Sequence, residues 1–174
     1  MERIESGIPT DVRAGFREIS TYIAALIFVV GNIILPQICH LIPQGGITWL
    51  PIYFFTLVGA YTYGWKVGLL TAVASPIVNS LLFGMPVVGN LPVIEIKSVL
   101  LAVVAGLVAS KNKKVTLLIL LVVVLGYQIP GSFAEWLITG DLSKAVQDFR
   151  IGIPGMILQI AGGYVVIRKI LNRL

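Results

Sequence analysis

The chain has 174 residues, of which 57% are apolar and only 12% are charged, and its formal net charge at pH 7 is +5. About a quarter of the residues in a soluble domain are charged, so this composition excludes a soluble enzyme, a disordered chain and a nucleic-acid-binding domain. The charged residues cluster at the ends of long uncharged stretches, which is the distribution that a lipid bilayer imposes on its proteins.

These stretches predict the architecture. A helix needs about 20 mostly apolar residues to cross the hydrocarbon core, and the sequence supplies six such segments. We therefore predict an all-α integral membrane bundle of six transmembrane helices in a single domain over residues 1–174. An amphipathic cytoplasmic segment is expected over 1–18. The six spans are expected at about 20–39, 47–64, 66–83, 91–109, 115–137 and 150–170.

The basic residues predict the orientation of these spans. Lys and Arg concentrate in the cytoplasmic connections of membrane proteins. With the N-terminus in the cytoplasm, only Lys144 and Arg150 fall in outer loops, and Lys97 falls within a span. Both termini are therefore predicted to be cytoplasmic. The ten basic residues on that side are Arg3, Arg13, Arg17, Lys66, Lys111, Lys113, Lys114, Arg168, Lys169 and Arg173.

The fourth span contains two charged side chains. Glu95 shares a helix sector of about 100° with small residues and is predicted to face the bundle. Lys97 falls on the opposite side with Leu101 and Val104, and is predicted to face lipid and to extend toward the outer headgroups. A carboxylate within the membrane is costly and is by default a sign of function. Glu95 is therefore expected to bind substrate or, alternatively, to pair with Arg150.

The outer connections are longer and richer in glycine and proline than the inner ones, so a binding site is expected at the outer face. Gln128, Pro130 and Gly131 are expected to break the fifth span near that face, as helices do where they line a cavity. Residues 141–149 predict a short capped helix. The candidate substrate-binding residues are Glu95, Asn79, Arg150, Gln128, Gln159, Trp136, His40 and Tyr53.

The residues that several chemistries require are missing. Zinc usually takes at least three protein ligands, and His40 with Cys39 supplies two, so no metal or other cofactor is expected. An intramembrane serine protease needs a histidine in the membrane, and His40 falls in an outer loop. An aspartyl dyad needs two carboxylates, and Glu95 is the one that we place in the membrane. The phosphate-binding pattern GxxxxGK[ST] is absent. We expect no enzymatic activity.

Several short segments carry a family resemblance. They are Phe83-Gly84-Met85-Pro86, Leu91-Pro92-Val93-Ile94-Glu95 and Ala102-Val103-Val104-Ala105-Gly106-Leu107, preceded by Tyr63-Gly64-Trp65-Lys66-Val67-Gly68 and Ala74-Ser75-Pro76. Together with six spans in under 180 residues, both ends inside and long outer loops, they resemble the substrate-binding S-component of energy-coupling factor (ECF) vitamin transporters. The resemblance implies capture of a vitamin or related micronutrient at the outer face of a prokaryotic cytoplasmic membrane. Delivery would then require a membrane coupling subunit and two cytoplasmic ATPases.

The resemblance also implies two further features. The outer loops, especially Gly45-Gly46, would close over the substrate. The first helix would contact the coupling subunit through the small-residue pairs Ser20/Ala24 and Thr21/Ala25, which differ from the Ala-x-x-x-Ala pattern of the family. The alternative is a stand-alone small secondary transporter or channel for a small solute, proton-coupled through Glu95.

Overall fold

The computed structural model describes residues 15–112 and 114–173, and this part of the chain is helical without a β-strand. Most of the cytoplasmic segment expected over 1–18, including Arg3 and Arg13, lies outside the described residues, as does Lys113. The all-α prediction is confirmed. Five helices are long and apolar enough to cross a membrane: α1 (Ile19–His40), α4 (Trp65–Phe83), α5 (Leu91–Lys111), α6 (Leu117–Thr139) and a last helix over Ile153–Leu171.

The second predicted span, over 47–64, is interrupted. It consists of α2 (Gly45–Trp49), a 3-10 turn (Pro51–Tyr53) and α3 (Phe54–Tyr63). The break lies at Leu50, whose φ of 46° is left-handed. The proline that follows disfavours right-handed helical backbone at Leu50, so the helix does not continue through it. At about 1.5 Å per residue, the ten residues of α3 cover about half of the hydrocarbon core.

Short helices connect α6 to the last helix. They are α7 (Leu142–Ala145) and α8 (Gln147–Arg150), so the helix expected over 141–149 forms as two pieces. Its predicted cap is confirmed, since Asp141 Oδ1 accepts hydrogen bonds from the backbone amides of Ser143 at 2.9 Å and Lys144 at 3.2 Å. The last helix comprises α9 (Ile153–Ile157), a π-helical turn (Leu158–Gly162) and α10 (Gly163–Leu171).

The predicted break of the fifth span near Pro130 is wrong. The helix α6 is continuous from Leu117 to Thr139 with Pro130 inside it. Proline removes the hydrogen bond to the carbonyl four residues earlier. In membrane proteins, neighbouring helices can provide a partner for the freed carbonyl, so the helix continues. Similarly, α4 is continuous through Pro76.

The distribution of polar side chains is the reverse of that in a soluble protein. In α1, large apolar side chains form an exposed stripe at helical spacing, which includes Ile23, Ile27 and Ile34. An exposed apolar surface of this extent fits lipid, and helices in lipid contact one another through small and polar groups. The buried polar residues are Thr21, Asn32, Thr56, Thr62, Thr71, Ser75, Asn79, Lys97, Ser98, Gln128, Ser132, Asp148 and Gln159.

The helix α5 lies in the centre of the bundle, against α3, α4 and α6. Two glycines bring the neighbouring backbones close. A Cβ atom on Gly68 of α4 would lie 2.8 Å from Ala60 Cα, and one on Gly106 of α5 would lie 2.7 Å from Trp65 Cα. We call the end of the bundle with the α4–α5 and α6–α9 connections the upper end, and the end with the α3–α4 and α5–α6 connections the lower end.

Candidate functional site

One group of buried polar side chains joins α1, α3 and α4, and its hydrogen bonds are complete. Asn32 Nδ2 donates to Thr56 Oγ1 at 3.0 Å and to Ser75 Oγ at 3.2 Å, and Asn32 Oδ1 accepts from the backbone amide of Phe55 at 3.0 Å. That amide belongs to the first turn of α3, where backbone donors have no partner within the helix. This group therefore anchors the start of α3.

Asn79, a predicted substrate-binding residue, belongs to this group. Its Nδ2 donates to the carbonyl oxygens of Asn32 and Ser75, both at 2.9 Å. The Asn32 carbonyl is available because Pro36, four residues later in α1, has no amide hydrogen to donate to it. Asn79 Oδ1 also accepts from Gln37 Nε2 at 3.4 Å. The contacts of Asn79 are thus accounted for by helix packing.

A buried ion cluster lies near the upper end. Lys97 Nζ is 2.6 Å from Glu135 Oε2 and 2.8 Å from Asp148 Oδ2, which joins α5, α6 and α8. The prediction that Lys97 faces lipid is wrong, since the residue is 3% exposed. A single apolar sector describes a peripheral helix, whereas α5 is covered on several sides.

The two acidic partners of Lys97 were not predicted from the sequence. Glu135 lies inside the candidate span Leu117–Thr139, so Glu95 is not the only carboxylate within a membrane helix. Asp148 is buried although it belongs to a short connecting helix. Gln128, Ser132 and Glu135 are four and three residues apart, which puts them on one face of α6. This spacing is the sequence pattern from which the inward position of Glu135 could have been predicted.

Buried polar atoms without partners distinguish the surroundings of the ion cluster from the hydrogen-bonded group around Asn32, which we call the Asn32 group. Six buried side-chain atoms have no hydrogen-bond partner within the described protein: Glu95 Oε1, Ser98 Oγ, Gln128 Nε2, Gln128 Oε1, Ser132 Oγ and Gln159 Nε2. A buried polar group is normally paired with protein or water, and an unpaired one costs about 1–3 kcal/mol. All six belong to α5, α6 or the π-helical turn.

Side-chain contacts link several of these residues to one another and to the ion cluster. Tyr127 Oη donates to Gln159 Oε1 at 2.9 Å, and the Tyr127 ring lies 5.5 Å from the Tyr53 ring. Lys97 packs on the same stretch of α6, since a Cβ atom on Gly131 would lie 2.7 Å from Lys97 Cγ. We call the set of Tyr53, Glu95, Lys97, Ser98, Tyr127, Gln128, Ser132, Glu135, Asp148 and Gln159 the polar cluster.

The polar cluster contains four of the eight predicted substrate-binding residues, and its centre is closed. Gln128 and Gln159 have no exposed surface, and Tyr53 is 3% exposed. The π-helical turn that holds Gln159 adds a residue to the helical repeat, a distortion that is frequent at functional sites. The break at Leu50 and the 3-10 turn after it carry Tyr53.

Three other predicted residues lie outside the polar cluster. Arg150 is exposed, and its Nη1 donates to Ser143 Oγ at 3.4 Å. Trp136 is exposed and contacts Phe133. His40, at the end of α1, lies so close to the start of α2 that a Cβ atom on Gly46 would be 2.7 Å from its Nε2. Neither Arg150 nor Trp136 contributes a contact to the polar cluster.

The four residues expected to contact a partner subunit divide between two environments. Thr21 and Ala25 are buried within this chain, and Thr21 Oγ1 donates to the Gly15 carbonyl at 2.8 Å. Ser20 is exposed and Ala24 is half-buried. On α1, the pair Ser20/Ala24 is therefore the more accessible of the two small pairs.

A cleft of about 240 Å³ lies at the lower end, between the α3–α4 connection and α5. The Trp65 ring packs edge-on against Phe16 at 5.8 Å, and Lys66 Nζ lies 5.3 Å from the centre of the Phe16 ring. This cleft is at the end opposite to the polar cluster. Its lining residues are Tyr63, Gly64, Trp65, Lys66, Gly106, Leu107 and Ser110.

Comparison with protein-family models, with curated proteins and with solved structures finds no match to this chain. Its helices identify it as a chain with multi-pass membrane character.

Proposed function

We propose that this chain is a membrane-embedded substrate-binding subunit of the ECF S-component type, which captures a vitamin or related micronutrient in the polar cluster. The observation that carries the proposal is the set of six buried polar atoms without a protein partner. Helix packing alone favours paired polar groups, as the Asn32 group illustrates. A bound solute with donors and acceptors would satisfy these atoms.

The proposal includes the topology expected from the sequence. The chain would cross a prokaryotic cytoplasmic membrane six times, with 45–63 as an interrupted second span and both termini in the cytoplasm. Broken helices in membrane proteins occur where they line a cavity or a binding site. The interruption at Leu50 precedes Tyr53 in the polar cluster, so its position supports a site near the outer face.

Energy for uptake would come from outside this chain, through a membrane coupling subunit and two cytoplasmic ATPases. The accessible pair Ser20/Ala24 would form part of the docking surface. Entry of a solute into the closed cluster requires a rearrangement of the upper end, and differential binding to the open and closed states would couple the solute to docking.

The direct test is to identify what the purified protein holds. The detergent-solubilised wild type and a Gln128→Leu variant are each denatured, and the released small molecules are identified by mass spectrometry. Because the variant loses a donor and an acceptor inside the cluster, we expect at least about a tenfold reduction of a specific molecule. Equal release of the same molecules from both proteins would contradict the proposal.

A second candidate is a stand-alone secondary transporter that couples solute movement to protons. The observation in its favour is that Glu95 Oε1 is buried without a partner, in a bundle that holds two further carboxylates, Glu135 and Asp148. Intramembrane acidic groups of this kind are typical of proton relays. Uptake by cells that lack the coupling subunit and ATPases, abolished by a protonophore, would favour this candidate. Uptake only on co-expression of those partners would favour the S-component.

A further inference from the structure

The charge balance of the polar cluster defines the class of solute. From the sequence alone, Glu95 suits an amine, whereas Lys97 and Arg150 suit an acid. The structure removes both basic groups from consideration. Lys97 Nζ is already within 2.8 Å of two carboxylate oxygens, and Arg150 is exposed, with its Nη1 near Ser143.

The remaining basic side chain near the upper end is also unsuitable. Lys144 is exposed, and its ammonium lies 3.9 Å from Asp141 Oδ2. Within the described residues of this half, every Lys or Arg is therefore either neutralised by carboxylates or at the surface. An organic acid bound at Glu95 would therefore face a carboxyl group without an available basic partner.

The acidic groups outnumber the basic ones. Lys97 compensates one of its two carboxylate partners, and Glu95 has an oxygen that is buried and unpaired. Glu95 is half-buried. An uncompensated carboxylate inside a membrane protein is expensive, and without a cation beside it the carboxyl group takes up a proton instead. A cation bound beside Glu95 would restore the balance and satisfy that oxygen with a charge-assisted hydrogen bond.

The other unpaired atoms indicate that this cation is organic. Gln128, Ser132 and Ser98 offer amide and hydroxyl groups, which recognise donors and acceptors on a molecule larger than a metal ion. Among the described residues, no group of three or more His, Cys, Asp or Glu side chains is arranged to hold a metal ion.

We infer that the polar cluster takes a small organic cation, with a protonated amine or comparable group against Glu95, and does not take an organic acid. This inference rests on the proposed function, since it specifies the solute of the same site.

The test uses a complex probe, the protein-free metabolite extract of a bacterial lysate. Immobilised protein is incubated with the extract and washed, and the retained molecules are identified and sorted by their charge at neutral pH. Four proteins are compared: wild type, Gln128→Leu, Glu95→Gln and Glu18→Gln. Glu18 is exposed and lies beside the start of α1, so Glu18→Gln is a matched control for the loss of one carboxylate.

We expect a molecule that wild type and Glu18→Gln retain and that carries a positive charge, with at least a tenfold loss in Glu95→Gln. Size-exclusion profiles and helical circular dichroism show whether each variant is folded. If the specifically retained molecule is an anion or carries no charge, the inference is wrong while the proposed function stands. Retention of a cation that is unchanged in Glu95→Gln also overturns the inference. Identical retention by wild type and Gln128→Leu contradicts the proposed function itself.

Discussion

Asn32 and Gln128 are both fully buried amides, but their surroundings differ. Asn32 makes three side-chain hydrogen bonds to groups in α3 and α4. Gln128 makes none with the described protein. Because a paired amide stabilises helix contacts and an unpaired one costs free energy, Asn32 stabilises the bundle, whereas the donor and acceptor of Gln128 are not used by the described protein.

This difference leads to a stability prediction for Asn32. Asn32→Ala removes three hydrogen bonds between helices, each worth about 0.6 kcal/mol on average in membrane proteins, and we expect a loss of about 2 kcal/mol in the free energy of unfolding. The measurement is reversible unfolding in mixed micelles. Asn90→Ala, at an exposed position without a side-chain cap bond, is the matched control and should change stability by less than about 0.5 kcal/mol. Equal effects of the two variants would contradict a structural role.

The ion cluster gives a second prediction. Lys97→Met leaves Glu135 and Asp148 buried without a cation, and breaking a buried pair in this way costs about 3–5 kcal/mol. Lys144→Met is the control, because its ion pair is exposed and worth at most about 1 kcal/mol. Adding Glu135→Gln and Asp148→Asn to Lys97→Met should restore much of the lost stability, as measured by thermal unfolding in detergent. No recovery in the triple variant would show that the charges are not the cause.

The candidate site could be predicted in part from residue types. Intramembrane Glu95, Gln128 and Gln159 stand out in an apolar sequence, and the structure places them in the polar cluster with Tyr53. Lys97 was assigned to the wrong side because helical periodicity gives the direction of a side chain and not the number of neighbouring helices. Asp148 was missed because its burial depends on how α8 packs after the chain leaves α6.

At the scale of elements, α5 determines how closely the bundle is packed. Its neighbours α3 and α4 approach one another where Gly68 faces Ala60, and α4 lies against Ala102 and Gly106 of α5. Small residues at such crossings allow backbones to come together, and dispersion contacts replace the hydrophobic effect that lipid does not supply. Side-chain volume at these positions should therefore matter more than polarity.

Gly68→Ala tests this packing. The new methyl group would lie 2.3 Å from Ala60 Cβ, so the helices must separate, at a cost of about 1–3 kcal/mol that the better helix propensity of alanine offsets only in part. Gly89→Ala is the matched control, since no atom lies within 4 Å of its added Cβ. We expect a lower melting temperature for Gly68→Ala alone, and equal melting temperatures would contradict close α3–α4 packing.

The sequence predicted the long helices well because about 20 apolar residues suffice to identify each one. The one predicted break was wrong, and two real interruptions were not predicted. Pro130 does not break α6, whereas Leu50 and the π-helical turn at Leu158–Gly162 interrupt other segments. Whether a proline breaks a helix depends on the partners that its neighbours provide for the freed carbonyl, as Asn79 does for Asn32, and such partners are set by tertiary packing.

At the scale of the whole molecule, the outer surface is apolar and the buried polar groups lie within a mainly apolar core. The exposed stripe of α1 and the outward side chains of α6 fit the lipid, while the polar cluster and the Asn32 group occupy the interior. The cluster lies at the upper end and the cleft lined by Trp65 and Lys66 lies at the lower end. A solute-binding function thus requires that the upper end faces the source of the solute. The orientation of the chain in the membrane is therefore a test of the proposed function.

Orientation is measured by cysteine labelling in a Cys39→Ala background, which removes the single native thiol. Gly89→Cys places a thiol in the exposed α4–α5 connection at the upper end, and Lys111→Cys places one at the exposed lower end of α5. Because Lys and Arg concentrate in the lower connections, a membrane-impermeant maleimide should label Gly89→Cys in intact cells and Lys111→Cys only after permeabilisation. The reverse result would contradict cytoplasmic termini. Labelling of both positions in intact cells would contradict a transmembrane α5.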